Sequence, residues 1–249
     1  MTVDAAVPAN ISKRLPGRRY DRQFFSAMAV LLTTVVVIGF APTYYLAGGF
    51  MAPLPSRIVH IHALVFSAWM ILLIVQTGLI SAKRVGWHRK LGMAGFVLAA
   101  AMVVVVVLTA AGLAERAKGA ASMELVLGLL AFTFTDAFDF AVLAGSAYAL
   151  RRDGAAHKRL IIIATVCLTR AAFFRWHLPF LFRQMYAAYV ATYILLLLLV
   201  AYDIWSTRKI HRATMFAGLF LIVMGQLAWL ISPSAPWHSF AHWVQGWGI

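Results

Sequence analysis

The stretch MYAAYVATYILLLLLVAYDIW, residues 185–205, is followed by the basic connector STRKIHRA, residues 206–213, and then by another apolar run. A helix that crosses about 30 Å of hydrocarbon needs about 20 predominantly apolar residues, and this stretch meets that length. Hydrophobic residues make up 63% of the 249 positions and charged residues only 12%, whereas about a quarter of a soluble domain is charged. The composition therefore predicts an integral membrane protein without a separate soluble domain.

Six further apolar stretches of similar length lie along the chain. With residues 185–205 they give seven predicted spans, at 24–47, 57–82, 91–113, 123–150, 159–182, 185–205 and 214–231. Short polar connectors, some containing proline or glycine, separate them. We expect an all-α integral membrane bundle of seven transmembrane helices at residues 24–232, preceded by a basic cytoplasmic tail at residues 1–23.

Lysine and arginine lie almost entirely in alternate connectors. The N-terminal tail and the connectors after the second, fourth and sixth spans hold 16 of the 22 basic residues when the boundary residue Arg159 is counted with its connector, whereas the other side holds four. Because positive charge is retained on the cytoplasmic side, the N-terminus is predicted to be cytoplasmic and the C-terminus outside. An odd number of spans independently requires that the two termini lie on opposite sides of the membrane. The expected location is the bacterial cytoplasmic (inner) membrane, as a multi-pass protein.

The formal net charge of +14 has an explanation within this topology. Basic residues in membrane-flanking connectors meet anionic lipid head groups. A nucleic-acid site would instead need a basic face on a folded domain. Membrane lipids are therefore the expected partners, and nucleic acid is not.

Three connectors share one layout, in which a basic turn leads to a histidine next to a basic residue. These histidines are His88, His157 and His211. One interpretation makes them cytoplasmic-side ligands or proton carriers. The other is that imidazole suits the head-group layer, where its polar end stays hydrated. Their shared placement also indicates duplication of a helical hairpin.

Two aspartates and one arginine fall within predicted spans. Asp136 and Asp139 are three residues apart and so share one helix face. A rise of about 1.5 Å per residue places Asp136 and Arg170 at a similar depth on neighbouring helices. Because an ionisable group in hydrocarbon costs roughly 3 kcal/mol, we expect an Asp136–Arg170 or Asp139–Arg170 ion pair. This set either fixes helix register or forms a proton or ion relay, and its three residues are the candidate catalytic residues.

Two histidines are predicted near the outer ends of their spans. His62 and His177 each lie roughly 8 Å below the outer helix end. Haem in a membrane bundle needs two histidines on different helices at matched depth. His62 with His177 is the outer candidate pair, and His88 with His157 is the inner one. Haem b is therefore a candidate cofactor, with a quinone or another membrane-soluble small molecule as a candidate partner.

Residues 233–249 predict an interfacial amphipathic helix on the outer surface. Its apolar residues share one face, which we expect to lie in lipid: Trp237, Phe240, Val244 and Trp247. His238 and His242 lie on the polar face at the spacing of two metal ligands one turn apart. With His62 they make three potential zinc ligands, the number that catalytic zinc uses beside an open water position.

Two resemblances accompany these motifs. The segments WHRKLG at 87–92, AHKRL at 156–160 and HRAT at 211–214, with PLP at 53–55 and HIH at 60–62, look like those of uncharacterised bacterial multi-spanning membrane proteins. The His-Arg-x-Leu-Gly element is also similar to one in predicted b-type-cytochrome-like membrane proteins, which implies haem binding. The outer histidines loosely resemble those of the ceramidase and progestin-receptor group of seven-helix membrane hydrolases, although here the paired histidines follow the last helix.

Three functions remain open at this point. The first is a haem- or quinone-linked redox membrane protein with an outer histidine site. The second is a zinc-dependent membrane hydrolase, and the third is a transport or assembly protein without catalytic chemistry.

Overall fold

The computed structural model describes residues 20–50, 55–119, 121–180 and 183–247. All regular elements in these ranges are helical, which confirms the predicted all-α class. The helices are α1 (Asp21–Phe40), α2 (Arg57–Ser81), α3 (Val85–Arg116), α4 (Met123–Ala149), α5 (Gly154–Phe173), α6 (Met185–Thr207), α7 (Arg212–Ile231) and α8 (Ala235–Gln245). A π-helical turn (Ala41–Tyr45) extends α1. Residues 1–19 of the predicted tail lie outside the described residues.

Six of these helices are long and apolar enough to cross a membrane: α1 with its extension, α2, α3, α4, α6 and α7. Large apolar side chains point away from the bundle, and Leu64, Val97 and Leu230 are each at least 70% exposed. Such extensive apolar surface is typical of a lipid-facing protein. The structure is therefore that of a multi-pass membrane protein with six apolar spans, while a seventh span stays a prediction.

The remaining long helix, α5, lies in the middle of the bundle. It packs against α1, α4, α6 and α7, and 13 of its 20 residues are buried. Its charged residues make it less apolar than the other long helices, but they face protein rather than lipid. α1 approaches it closely because residue 39 is glycine: a Cβ there would lie 2.5 Å from the Ala172 carbonyl oxygen.

The bounds of α5 differ from the predicted span 159–182. It begins five residues earlier because Asp153 caps it, with the carboxylate accepting from the backbone N–H groups of Ala155 and Ala156 at 2.9 and 3.1 Å. It ends at Phe173. Pro179 contributes to this early end, since it has no N–H to donate and disfavours a helical conformation at the preceding residue.

The first buried arginine of α5, Arg159, pairs with Asp203 of α6. Arg159 Nε donates to Asp203 Oδ1 at 2.9 Å, and the two side chains are 3% and 0% exposed. Asp203 Oδ2 also accepts from the Thr214 hydroxyl at 2.6 Å and the His211 backbone N–H at 3.1 Å. This carboxylate joins α5, α6 and α7. It lies near the end of the bundle that holds the connectors 82–84, 150–153 and 208–211, and we call this end the basic end.

The C-terminal helix α8 packs differently from the prediction. Val244, expected in lipid, is fully buried against α3 and α4, whereas Trp243 is 61% exposed. The polar residue Gln245 is also buried, because its amide donates to the Ala114 carbonyl at 2.7 Å. Trp237 Nε1 donates to the Leu127 carbonyl at 2.8 Å. These hydrogen bonds to carbonyl groups of the buried residues Ala114 and Leu127 hold α8 in an orientation that differs from the predicted one.

Removal of the Asp203 carboxylate should destabilise the bundle strongly. We expect Asp203→Ala to lower the free energy of unfolding by about 3–5 kcal/mol, because Arg159 would be left buried without a counter-charge. Equilibrium unfolding of the purified protein in mixed micelles measures the loss. The matched control is Glu115→Ala, which removes the partly exposed Glu115–Lys118 pair and should cost about 1 kcal/mol or less. Equal losses for the two variants would contradict the role given to Asp203.

Candidate functional site

The second buried arginine of α5, Arg170, lies between two carboxylates of α4. Its Nη2 donates to Asp139 Oδ2 at 2.7 Å, and its Nε lies 3.1 Å from Asp136 Oδ1. The guanidinium also lies over the Tyr189 ring, 4.8 Å from Cζ to the ring centroid. The predicted ion pair between the fourth and fifth helices is confirmed, and both aspartates share it.

The two aspartates have different environments. Asp139 and Arg170 are 0% and 1% exposed, whereas Asp136 is 21% exposed and lines a cavity. Asp139 is therefore placed to neutralise Arg170 inside the protein. Asp136 also neutralises Arg170, but it presents its carboxylate to any molecule that enters the cavity.

This cavity, of about 420 Å³, lies between α1, α2, α3, α4 and α5 at the end opposite to the basic end, and we call it the His62 cavity. The imidazole of His62 stacks on the Phe66 ring, with the ring centroids 4.1 Å apart and the planes 7° from parallel. His62 Nδ1 is buried and has no hydrogen-bond partner among the described residues. A buried polar atom of this kind marks a position where a ligand or water can bind.

Arg175 adds a positive charge to the His62 cavity. Its Nη1 donates to the Ala171 carbonyl at 2.7 Å, and its Cζ lies 4.7 Å from the Phe40 ring centroid. Among the described residues, no carboxylate lies within ion-pair distance of Arg175. The lining of the cavity therefore contains two cationic donors, Arg175 and the exposed Arg116, together with one imidazole and one carboxylate.

His177 does not join His62 in this cavity. The prediction that it lies within the fifth helix, below the outer end, is wrong, because α5 ends at Phe173 and His177 lies exposed in the following connector. It is not among the residues that line the His62 cavity. The outer histidine pair predicted for haem is therefore not assembled.

The inner histidine pair is assembled. His88 of α3 and His157 of α5 have ring centroids 6.4 Å apart, with the planes 83° apart. Both line a cavity of about 830 Å³ at the basic end, which we call the His88–His157 cavity. The apolar part of its wall includes Trp69, which lies twelve residues, or roughly 18 Å, from the end of α2. The cavity thus extends from the basic end deep into the bundle.

Neighbouring groups orient both imidazoles. His157 Nδ1 lies 2.9 Å from the Ala147 carbonyl oxygen, which can only accept, so Nδ1 carries the proton and Nε2 is left for another partner. The Gln76 amide contacts His88 and Gly92. In the orientation that satisfies both amide atoms, its nitrogen donates to His88 Nδ1 at 2.6 Å and its oxygen accepts from the Gly92 N–H at 2.9 Å. Gln76 thus holds the His88 ring against α2.

The entrance of the His88–His157 cavity is strongly cationic. Lys158 forms an ion pair with Asp21, and Asp21 also accepts from the Tyr202 hydroxyl at 2.6 Å. The other cationic residues of the lining have no carboxylate partner among the described residues: Arg22, Arg89, Arg151 and Arg152. The cavity therefore combines a positive entrance with a deep apolar wall, an arrangement suited to a ligand with an anionic group and a flat apolar body.

The third repeated histidine, His211, has a structural role. Its Nδ1 accepts from the Ala213 backbone N–H at 3.1 Å and caps the start of α7. Burial lowers the pKa of His211, and the positive charge of the Arg159 guanidinium lowers it further. The neutral imidazole that this capping bond requires is therefore favoured.

The histidines of α8 face Glu124 at the start of α4. His238 Nδ1 lies 2.8 Å from Glu124 Oε2 and His238 Nε2 lies 3.1 Å from the Ser232 carbonyl oxygen. His242 Nε2 lies 3.5 Å from Glu124 Oε1. Both ring nitrogens of His238 meet acceptors, and no group of three His, Cys, Asp or Glu in the described part of the chain is arranged to hold a metal ion. The proposed zinc set of His62, His238 and His242 does not fit this geometry.

Several important residues were not identified from the sequence. Asp203 lies within the apolar stretch 185–205 and was not singled out, and Arg159 was assigned to a connector. An acidic residue within a span is nevertheless a signal of a buried partner.

No protein-family model, no curated protein and no solved structure matches the chain. The resemblances based on the histidine motifs stay predictions.

The two aspartates that share Arg170 should contribute unequally to stability. We expect Asp139→Ala to lower the free energy of unfolding by about 3–5 kcal/mol, because the sealed Arg170 loses its shortest ion pair. Asp136→Ala should cost about 1–2 kcal/mol, since water in the cavity can replace the lost oxygen atoms. Thermal and denaturant unfolding of the two variants, each compared with wild type, measures the difference. A larger loss in Asp136→Ala would show that Asp136, not Asp139, neutralises Arg170.

Proposed function

We propose that this protein is a redox membrane protein that binds haem b between His88 and His157. The observation that carries this proposal is the distance between these two imidazoles, which both line the His88–His157 cavity. They belong to different helices, and their ring centroids are 6.4 Å apart. Two histidines on different helices are the axial ligands that a b-type haem in a membrane bundle requires.

The residues present fit this group. Imidazole nitrogens bind a metal at about 2 Å, and about 1 Å separates each nitrogen from its ring centre, so two imidazoles on one iron place their centroids about 6 Å apart. The cavity volume of about 830 Å³ lies within the usual range for cofactor sites, about 300–1,000 Å³.

The hydrogen bond of His157 also supports ligation, and that of His88 can be adjusted to do so. A metal-binding histidine usually donates its second ring N–H to a carbonyl or carboxylate, as His157 Nδ1 does to Ala147. If the Gln76 amide rotates so that its oxygen and nitrogen exchange positions, the oxygen accepts from His88 Nδ1–H. His88 Nε2 is then free to bind a metal, as His157 Nε2 is. Gln76 is therefore the residue that adjusts His88 for binding.

The chain's own residues would define how such a group behaves. A bound haem supplies one-electron oxidation and reduction. The four arginines at the entrance would pair with its carboxylates, and such charge-assisted hydrogen bonds are roughly twice as strong as neutral ones. Phe96, whose ring centroid lies 6.3 Å from that of His157, and Trp69 would exclude water from its apolar face. These contacts raise the affinity for a planar dianion over a neutral ring.

The same proposal includes a topology with seven membrane crossings, counting α5. Its support is the meeting of helix ends at the basic end: Asp21 of α1 contacts Lys158 of α5 and Tyr202 of α6, and Arg22 donates to the Ser81 carbonyl of α2 at 3.4 Å. α1 and α2 therefore run in opposite directions, and so do α5 and α6. With the basic end facing the cytoplasm, the N-terminus is cytoplasmic, the C-terminus is outside, and the protein belongs to the bacterial inner membrane.

The haem proposal predicts a specific spectrum. Protein produced with haem precursor should show a Soret band and a reduced-minus-oxidised difference spectrum typical of a bis-histidine haem. His88→Ala and His157→Ala should each lose the low-spin bands, because one axial ligand is removed.

Two variants outside the His88–His157 cavity are the matched controls for this experiment. His62→Ala and His177→Ala remove the same side chain at the other end of the bundle and should keep the spectrum of wild type. The proposal is contradicted if haem-supplied wild type shows no haem absorption, or if the bands depend on His62 rather than on His88 and His157.

Reporter fusions test the topology. Alkaline phosphatase, which is active only outside the cytoplasm, should be inactive when joined after Lys209 and active when joined after Ile249, because α7 crosses between them. A fusion after Gln184, between α5 and α6, should also be active. Inactivity there, with activity after Lys209, would show that α5 does not cross the membrane.

A further inference from the structure

We infer that the His62 cavity binds the head group of a lipid-soluble quinone or its hydroquinone. This inference deepens the proposed redox function, on which it rests, by naming the molecule that would exchange electrons with the protein. The binding itself depends only on the residues of this cavity. Three features identify the ligand class: the hydrogen-bonding groups, the charge balance and the shape of the apolar wall.

The hydrogen-bonding groups lie on different helices and offer both donors and acceptors. Asp136 of α4 is an acceptor, and Arg175, which follows α5, has guanidinium N–H groups beyond the one that binds Ala171. His62 of α2 supplies an imidazole whose Nδ1 is buried without a partner. A quinone carries two oxygen atoms on opposite sides of one ring, each of which accepts as a carbonyl and donates as a hydroxyl. It can therefore satisfy groups on two walls of the cavity.

The charge balance of the site favours a neutral ligand. Two carboxylates share Arg170, so this set has a formal charge of −1 when both are ionised. Arg175 at the same cavity contributes +1 and balances this charge. The second arginine of the lining, Arg116, is exposed to solvent, which screens its charge. A carboxylate ligand would add an uncompensated negative charge in an apolar interior, which is costly. A neutral ring with polar oxygens avoids this cost.

The wall of the cavity suits a flat ring with an apolar tail. Aromatic and aliphatic side chains form most of it: Phe40, Phe66, Met70, Met102, Val106 and Phe140. The His62 ring already stacks on that of Phe66. The other aromatic side chains of this wall can stack on a flat ligand in the same way. About 420 Å³ lies in the lower part of the range for small-molecule sites. This volume accommodates a substituted benzoquinone and the first part of its tail, with the remaining tail in lipid.

The test uses the full-length chain in detergent and the probe 2,3-dimethoxy-5-methyl-6-decyl-1,4-benzoquinone. Isothermal titration calorimetry should show saturable binding of one molecule per chain. His62→Phe, which keeps the stack on Phe66 but removes both nitrogens, and Asp136→Asn should each weaken binding about tenfold, which corresponds to one lost hydrogen bond. His177→Phe is the matched control for His62→Phe and should bind as wild type does.

A second measurement does not depend on removing a polar group. Ala63 lines the cavity, and the chain's single cysteine, Cys167, is buried. N-ethylmaleimide should label an Ala63→Cys variant, and the quinone, whose ring is fully substituted, should slow this labelling at concentrations that saturate the calorimetric site. Unchanged labelling would overturn the assignment even if a His62 variant failed to fold.

Other outcomes also overturn the inference. These are wild-type affinity in both His62→Phe and Asp136→Asn, no saturable binding to wild type, or displacement of the quinone by sodium decanoate at equal concentration, which would indicate a carboxylate lipid instead. Failure of the haem proposal is distinguished by the absorption spectrum. If the protein has no haem but binds quinone through His62, the proposed quinone site is supported and the proposed redox function is contradicted.

Discussion

The need to neutralise two arginines inside an apolar bundle determines how the helices of this protein are arranged. Arg159 and Arg170 lie on α5, are almost completely buried, and pair with Asp203 of α6 and with Asp136 and Asp139 of α4. A buried charge without a partner costs several kcal/mol, whereas apolar side chains can slide past one another at little cost. The ion pairs therefore set the register of α4 and α6 relative to α5. A helix that faces protein on nearly all sides can carry such charges, and one that faces lipid cannot.

The same central helix links the two cavities. One turn of α5 carries His157 and Lys158 at the basic end, beside the buried Arg159, and the other end of the helix leads to Arg175 in the His62 cavity. Each cavity thus has one wall held by a buried ion pair. A rigid wall keeps imidazole and guanidinium groups in place before a ligand binds, which reduces the ordering cost of binding. The cavities differ in charge, and this difference separates the two ligand classes that we propose: a dianion at the cationic entrance and a neutral ring at the balanced site.

Much of the architecture was predictable because apolar length and charge placement are local properties of a chain. The helical class and the membrane-spanning lengths followed from composition, and the Asp/Arg pairing followed from depth along neighbouring helices. The failures concern features that depend on tertiary contacts. His177 was placed within the fifth helix because the apolar run continues to residue 182, yet the helix ends at Phe173. Val244 was assigned to lipid from its helical face, but hydrogen bonds to the carbonyl groups of the buried residues Ala114 and Leu127 hold α8 so that Val244 lies against the bundle.

The sequence by itself determined that this is a membrane-embedded, all-helical protein, that its basic residues gather at one end, and that ionisable groups lie within the membrane. Only the tertiary structure decided which histidines meet. His88 and His157 are 69 residues apart in the chain, and their approach depends on how α3 and α5 pack around the same cavity. Three similar His-basic motifs therefore have different roles: two imidazoles lie close together in one cavity, and the third, His211, caps a helix. The physical reason is that the hydrophobic pattern of a helix specifies its length and burial, whereas pairing depends on rotation and register, which only packing and buried ion pairs determine.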